Sequence, residues 1–329
     1  MKYCFGVDIG GTTVKLGLFT TEGEIVDKWE IKTRTENQGE AVLPDIAAAL
    51  NEKLEEKEFH LEVKEAFKNN GNKFGITVLS DNNKYKMCPT VYKECMEDIW
   101  YDDDKVIEFL ERIYEENKDK KLDVKTLCSR DYILENVRLR VVSDANIGEV
   151  KKMNIAYKHY LDMLILFYID VSEASSVDAT ASVTLRKEEL ARAGIEQTEL
   201  LNSAIRNIEN DYVVSSMEKV ICEILDIPVE EAPDMSGDVE MYVITNSHKI
   251  FGAASILSTR ILDAVSYLIG GDFIILPSSI HECIAVPYGK MESEELREMV
   301  REVNDNQVSP EDRLTYNVYK YSKGELSIM

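Results

Sequence analysis

The chain of 329 residues is short of positive charge. Lysine and arginine number 38 against 61 acidic residues, for a net charge of −23 and a pI near 4.7. That balance argues against a sequence-independent hold on nucleic acid or on an anionic membrane surface. Cysteine is sparse and scattered: Cys4, Cys88, Cys95, Cys128, Cys222 and Cys283 form no Cys-x-x-Cys pair and sit beside no histidine cluster. Neither a zinc site nor a disulfide framework is indicated, and reduced thiols in a cytoplasmic setting are expected. Long hydrophobic runs are missing as well. The densest, Met163 to Ile169, is far short of the ~20 residues that span a bilayer, so a soluble protein with no membrane partner is expected. The apolar start of the chain is broken at once by Asp8 and glycines, so no signal peptide is expected either. Glycine is absent between Gly148 and Gly194, where a loop admitting phosphate would need several.

What is there begins almost at the N-terminus. Phe5, Val7 and Ile9 alternate with Gly6 and Asp8, Gly10-Gly11-Thr12-Thr13 supply a turn, and Val14, Leu16 and Leu18 resume the period of two around Lys15,. The glycine pair permits close approach of a ligand to the backbone. With an Asp before the turn and a Thr hydroxyl inside it, the stretch suits a phosphate and its Mg²⁺. A third strand is expected over Glu24 to Thr33, then a helix over Glu40 to Lys57 with Val42, Ile46, Leu50 and Leu54 on one stripe and Pro44 harmlessly in its first turn,.

These residues resemble the start of a bacterial sugar kinase of the repressor–ORF–kinase (ROK) family, in its glucokinase branch. The resemblance covers residues 1 to about 57 and is carried by Asp8-x-Gly10-Gly11-Thr12-x-x-Lys15 with its flanking strands and the following Leu-Pro-Asp-Ile-Ala helix. It implies the first elements of an actin-like ATPase lobe. Asp8, Gly10, Gly11, Thr12, Thr13 and Lys15 would meet the phosphates of ATP, and Asp8 would hold Mg²⁺ through water. Nucleotide and hexose are the ligands it implies.

The family's base is an Asp in an Asn-Asp-Ala-Asn context, and this chain has Ser143-Asp144-Ala145-Asn146 after a strand over Val137 to Val142. Asp144 would be the base and Asn146 a sugar contact; the alternative is a strand-end Asp capping the next helix. The family's second, Gly-rich phosphate loop and its His–Cys zinc signature have no counterpart, so the chain reads as incomplete for phosphoryl transfer, which needs cradle, metal and base together. One further group draws notice: Ser278, Ser279, His281 and Glu282 lie between two expected strands, either as parts of a nucleophile–base pair or as a turn held by side-chain hydrogen bonds.

The rest is expected to be mixed α+β. Leu61 to Lys68 reads as a strand or short helix, Asn69 to Asn72 as a turn, Phe74 to Leu79 as a strand, and Asp103 to Asn117 as an amphipathic helix. Tyr157 to Asp170 reads as a helix passing into the apolar run, and Ser176 to Leu185 as β-rich. Helices are expected over 188–193, 196–209, 215–225, 256–269 and 293–303, with strands over 241–245, 273–276 and 283–286 and a final hairpin at Lys323-Gly324. An acidic stretch from Pro228 to Glu240 is a linker or loop. This body resembles a second family, an uncharacterised bacterial one of unknown function, through Cys88-Pro-Thr-Val-Tyr92, Met241-Tyr-Val-Ile-Thr-Asn246, Phe251-Gly-Ala-Ala254, Leu276-Pro-Ser-Ser-Ile-His-Glu282 and Met299-Val-Arg-Glu-Val-Asn304.

The expected organisation is therefore a kinase-like segment 1–58, a body in two parts (59–227 and 241–329), and the linker 228–240 between them. Two functions stand: a ROK-like protein, if active an ATP-dependent hexose kinase, and a non-catalytic fusion whose body binds a partner or small ligand.

Overall fold

A computed structural model describes residues 3–20, 25–54, 59–80, 90–92, 109, 112, 124–171, 182–228, 239–277 and 279–329. The expected turn at 81–83, almost all of the helix at 103–117, the start of the segment at 176–185 and most of the linker lie outside the described residues. The chain forms two compact units, one holding residues 1–66, 72–124 and 173–179, the other 67–71, 125–172 and 180–329. The fold is mixed α+β with an N-terminal β-meander.

In the first unit, β1 (Tyr3–Ile9), β2 (Thr13–Thr20) and β3 (Ile25–Lys32) form an antiparallel sheet in chain order. Register explains its two faces. Val7 lies opposite Leu16, which lies opposite Trp29, and Ile9 opposite Val14, which lies opposite Ile31. These residues cover one face and pack with Val42, Ile46 and Ala49 of α1 (Val42–Leu54). The helix keeps Val42 and Ile46 of the expected stripe, and Pro44 costs nothing in its first turn. The other face is polar: Asp8, Lys15 and Glu30 share one cross-strand row. A second sheet has the order β4 (Phe59–Lys68), β5 (Gly71–Ser80), β6 (Thr90–Tyr92).

In the second unit, α2 (Arg130–Asn136) leads into β7 (Val137–Ser143), a 3₁₀ turn (Asp144–Asn146) and α3 (Ile147–Lys152). The helix expected at the start of Tyr157–Asp170 is instead a β-hairpin of β8 (Tyr157–Tyr160) and β9 (Met163–Asp170). A short apolar run has no periodicity to separate helix from strand. Here pairing decides: β9 has β7 on one edge and both β8 and β10 (Ser182–Thr184) on the other, and Met163 to Ile169 are buried on both faces. Helices α4 (Lys187–Ala193) and α5 (Gln197–Glu209) follow. Leu200, Ala204 and Ile208 of α5 pack on Leu139, Phe167 and Ile169.

A six-stranded antiparallel sheet completes the unit, in the order β11 (Tyr212–Ser216), β12 (Tyr242–Asn246), β14 (Cys283–Pro287), β13 (Phe273–Leu276), β15 (Tyr319–Ser322), β16 (Glu325–Ile328). β11 takes the first residues of the helix expected from Ser215; α6 (Met217–Leu225) starts only after Ser216, whose Oγ accepts from Lys219 N at 3.3 Å. Likewise the helix expected from Ile256 is a 3₁₀ turn (Gly252–Leu257) and then α7 (Thr259–Ile269), capped by Ser258 and ended by Gly270 at φ 86°. Alternation places Phe273, Ile275, Cys283 and Ala285 against α7, and Ile274, Leu276, Ile284 and Val286 against α8 (Ser293–Asn306). No helix of the described residues is long and apolar enough to cross a membrane.

The β8–β9 turn is tied to the C-terminal segment through one carboxylate. Asp162 accepts from Thr315 Oγ1 at 2.6 Å, from Asn317 Nδ2 at 2.9 Å and from the Tyr319 hydroxyl. Burial acts to raise the Asp162 pKa, but these three donors prevail and hold it below the ordinary carboxylate value. The folded state therefore binds this proton less readily than the unfolded state. The stabilisation is present above the unfolded pKa of about 3.9 and is lost as pH falls through the lower folded value. Asp162→Asn should flatten that acid limb while costing stability at neutral pH. Urea midpoints taken between pH 2.5 and 7 check this; an acid limb as steep as that of the wild type would remove Asp162 from the account.

Candidate functional site

The hairpin turn is built to leave donors unspent. Gly10 N donates to Thr13 O at 2.9 Å, Thr33 Oγ1 donates to Gly10 O at 2.6 Å, and Thr33 N donates to Thr12 O at 3.1 Å. Those bonds hold the turn from inside, and a Cβ at Gly10 would stand 2.9 Å from Thr13 O, so glycine is required there. Neither the Gly11 nor the Thr12 amide donates to any described residue. Both residues are exposed, and a Cβ at Gly11 would meet nothing within 4 Å. Asp8 and Lys15 are exposed cross-strand neighbours on the polar face. Thr13, half-buried, opens β2. Two free amides, a hydroxyl and an ammonium suit a phosphate, and a neighbouring carboxylate suits its Mg²⁺.

Asp144 and Asn146 lie in the second unit. Asp144 opens the 3₁₀ turn after β7 and is exposed, while Ser143 Oγ accepts from Ala145 N at 3.4 Å. Asn146 is buried and its amide is committed: Nδ2 donates to Asn69 Oδ1 and to Ser143 O, both at 2.9 Å, and Oδ1 accepts from Asn70 N at 2.8 Å. Little hydrogen-bonding capacity is left there for a ligand.

Ser279, His281 and Glu282 do come close, but around backbone. His281 N donates to Ser279 Oγ at 3.0 Å. The His281 ring is held at both nitrogens: Nδ1 accepts from Phe251 N at 3.2 Å, which makes Nε2 the protonated nitrogen facing Asp312 Oδ1 at 3.1 Å,. Ser279 Oγ thus meets the backbone of His281 rather than its ring, the arrangement of a braced turn. Glu282 is exposed. Cys283, next in the chain, is fully buried, and burial pushes its thiol well above the ordinary value, which leaves it inert. Ser278 lies outside the described residues.

The polar face of β7 holds a group with no advance sign in the sequence. Arg138 and Arg140 are two residues apart and so share a face; Tyr168 lies opposite Arg138, and Thr184 opposite Tyr168. Arg138 Nη1 donates to Asp211, which also accepts from Ser247 Oγ. Burial acts to raise the Asp211 pKa, but these donors hold it below the usual range. Arg140, 7% exposed, has no carboxylate partner among the described residues. Its Nη2 donates to Thr184 Oγ1 at 3.0 Å, its Nε is enclosed with no acceptor, and its guanidinium lies 5.2 Å from the centroid of the Phe67 ring and 5.3 Å from that of Phe251. Burial pushes its pKa down to about 10, against a small opposing effect of Tyr168.

Phe251 is held in the left-handed region at φ 56°, with Lys249 at 55° just before it. Such backbone costs about 1–3 kcal/mol at a non-glycine residue. The Phe251 ring stacks on His281 at 5.7 Å and meets Tyr168 edge-on at 5.3 Å. A small pocket opens beside these rings, with Arg138, Asp211, Asn246 and Ser255 on its walls. Among the described residues no group of three or more His, Cys, Asp or Glu side chains is placed to hold a metal ion.

The fold defines a class: a mixed α+β body with a six-stranded antiparallel sheet, preceded by an N-terminal β-meander. The match to the family of unknown function DUF5688 spans residues 41–323, and the chain belongs to that family. The match begins one residue ahead of α1, so that helix falls within the family's span. A short N-terminal segment is also similar to a glucokinase of Halalkalibacterium halodurans, 49% identical over 53 residues, which is 16% of this chain and 16% of that enzyme. This likeness points to kinase ancestry for the N-terminal segment. The chain therefore spans about a sixth of the curated relative it matches.

Proposed function

We propose that this protein binds a nucleotide phosphate through a hairpin inherited from a sugar kinase and does not transfer it. The observation that carries the reading is the pair of unspent, exposed amides at Gly11 and Thr12 on a turn whose other groups are bonded inward. Thr12 and Lys15 would complete the cradle, with Asp8 toward Mg²⁺ through water. In this reading the chain is a non-catalytic fusion: a kinase-derived meander precedes a body with its own ligand. Asn146 supports it, because the residue at the family's sugar-contact position is spent on packing Asn69 and Asn70.

The second reading is an ATP-dependent hexose kinase with Asp144 as base, favoured by the exposure of Asp144 at a strand end. Two measurements decide. With MgATP and a panel of hexoses we expect no hexose-dependent release of ADP; turnover that vanishes in Asp144→Ala would establish the kinase. MgATP should raise the melting temperature of the wild type. Gly11→Ala, whose methyl meets no protein atom, should melt at the wild-type temperature without ligand and lose the response to MgATP. No thermal response of the wild type would remove nucleotide binding altogether.

A further inference from the structure

We infer that Arg140 is the centre of a small oxyanion site in the body of the protein, independent of the N-terminal hairpin. A guanidinium brought out of water without a counter-charge is unfavourable, and proteins compensate such groups with a carboxylate, a phosphate or a set of carbonyls. On the same strand and face, Arg138 has Asp211. Among the described residues, Arg140 has one neutral hydroxyl, Thr184 Oγ1, and two aromatic rings.

The rings matter in two ways. A cation–π contact favours the charged form without using any N–H. Phe67 and Phe251 also present carbon to the cation, leaving ligand contact to the edge. Of the nitrogens at that edge, Nη2 is engaged by Thr184 and Nε is enclosed with no acceptor, which leaves Nη1 as the entry point. An arginine edge matches the oxygens of a carboxylate or phosphate group better than any other side chain.

The chain has invested in this arrangement. Phe251 reaches Arg140 from a left-handed backbone position, and its N–H is held by His281 Nδ1, itself fixed through Asp312. A residue with no ligand to meet could be exchanged for a hydrophobic one of similar size at no loss. A small oxyanion, carboxylate or phosphate, is the chemistry that completes the site.

The test uses the full chain carrying Gly11→Ala, so that the hairpin does not contribute. Melting is followed while sodium phosphate, sodium sulfate or sodium acetate is added, with sodium chloride holding the ionic strength constant. At least one oxyanion should raise the melting temperature, by about 5 °C at one hundred times its Kd. A response to phosphate and sulfate alone identifies a tetrahedral ligand; a response to acetate identifies a carboxylate. Adding Arg140→Met should weaken binding roughly tenfold or more, while leaving the chain without ligand at least as stable. In case that variant does not fold, the ¹⁵N-arginine spectrum of the chain with Arg140 intact supplies the second measurement, in which the Arg140 Nε–H resonance should move on titration. No oxyanion response beyond chloride, a full response retained in Arg140→Met, or an Nε–H resonance that stays still while an anion binds would each overturn the proposal.

Discussion

Asn69→Ala should lower the stability of the second unit by about 3 kcal/mol, since each buried group left without its partner costs about 1–3 kcal/mol. Asn69 sits in the turn joining β4 to β5, is 4% exposed, and uses both ends of its amide. Oδ1 accepts from Ser143 N at 3.0 Å and from Asn146 Nδ2 at 2.9 Å, while Nδ2 donates to Arg313 O at 2.6 Å and to Glu311 O at 3.1 Å. One side chain thus ties the end of β7 to a segment 242 residues beyond Asn69 itself. Asn70 repeats the link on the exposed side, its Nδ2 donating to Pro310 O at 3.0 Å and Arg313 O at 2.8 Å.

Two comparisons sharpen that expectation. Asn70→Ala should cost less than Asn69→Ala, because its carbonyl partners are freed at an exposed edge where water replaces the amide. Asn69→Asp should remain worse than wild type at neutral pH, because a carboxylate keeps the acceptor role but turns an oxygen toward two carbonyls. Urea midpoints for the three variants check the order. An Asn69→Ala cost below 1 kcal/mol would show that the turn is held by Phe67, packed with Val142, Leu164 and Leu166, and not by its amide.

The sequence is readable where a local pattern and the final packing agree. The meander is such a place: Val7, Ile9, Val14 and Leu16 alternate, and their shared face is the one α1 covers. The strands after the acidic linker are another, because each is a short apolar run closed by turn residues. The hairpin β8–β9 is not, because Met163 to Ile169 is apolar throughout and its strand state is set by β7, β8 and β10. The start of β11 was hidden for the same reason, Val213 and Val214 being paired by β12 rather than by any local signal.

The candidate sites divide in the same way. The hairpin turn was legible because glycines, Asp8 and Lys15 are adjacent in sequence. Arg140 was not. In Val137-Arg138-Leu139-Arg140 the two arginines are equivalent, and only the fold gives the first a carboxylate 73 residues away and leaves the second with aromatic rings. His281 stands beside Ser279 in the sequence, yet its ring partners, Phe251 and Asp312, come 30 residues before and 31 residues after it.

The small stretch Gly252-Ala253-Ala254 leads to the second large effect. A Cβ at Gly252 would stand 2.2 Å from Thr245 Oγ1, 2.6 Å from His281 O and 2.7 Å from Asn246 N. Only the first of these belongs to a side chain that can turn away, and Thr245 Oγ1 already donates to His281 O at 2.9 Å. Gly252→Ala must therefore push the 3₁₀ turn off β12 and β14. Overpacking of this kind costs about 1–3 kcal/mol and sometimes more; with two backbone atoms in the way, the upper end is expected.

Pairing the substitution with Thr245→Ala should return less than half of that loss, because two of the three conflicts remain. The push would be felt next door, where Phe251 stacks on His281 and covers Arg140. If the variant still folds, its oxyanion response should fall with its stability. Thermal and urea denaturation of the single and double variants measures the first point and the anion titration the second. Full rescue by Thr245→Ala would mean that the backbone at His281 and Asn246 gives way freely, and that the contact between β12, β14 and the 3₁₀ turn is not what fixes Phe251 in place.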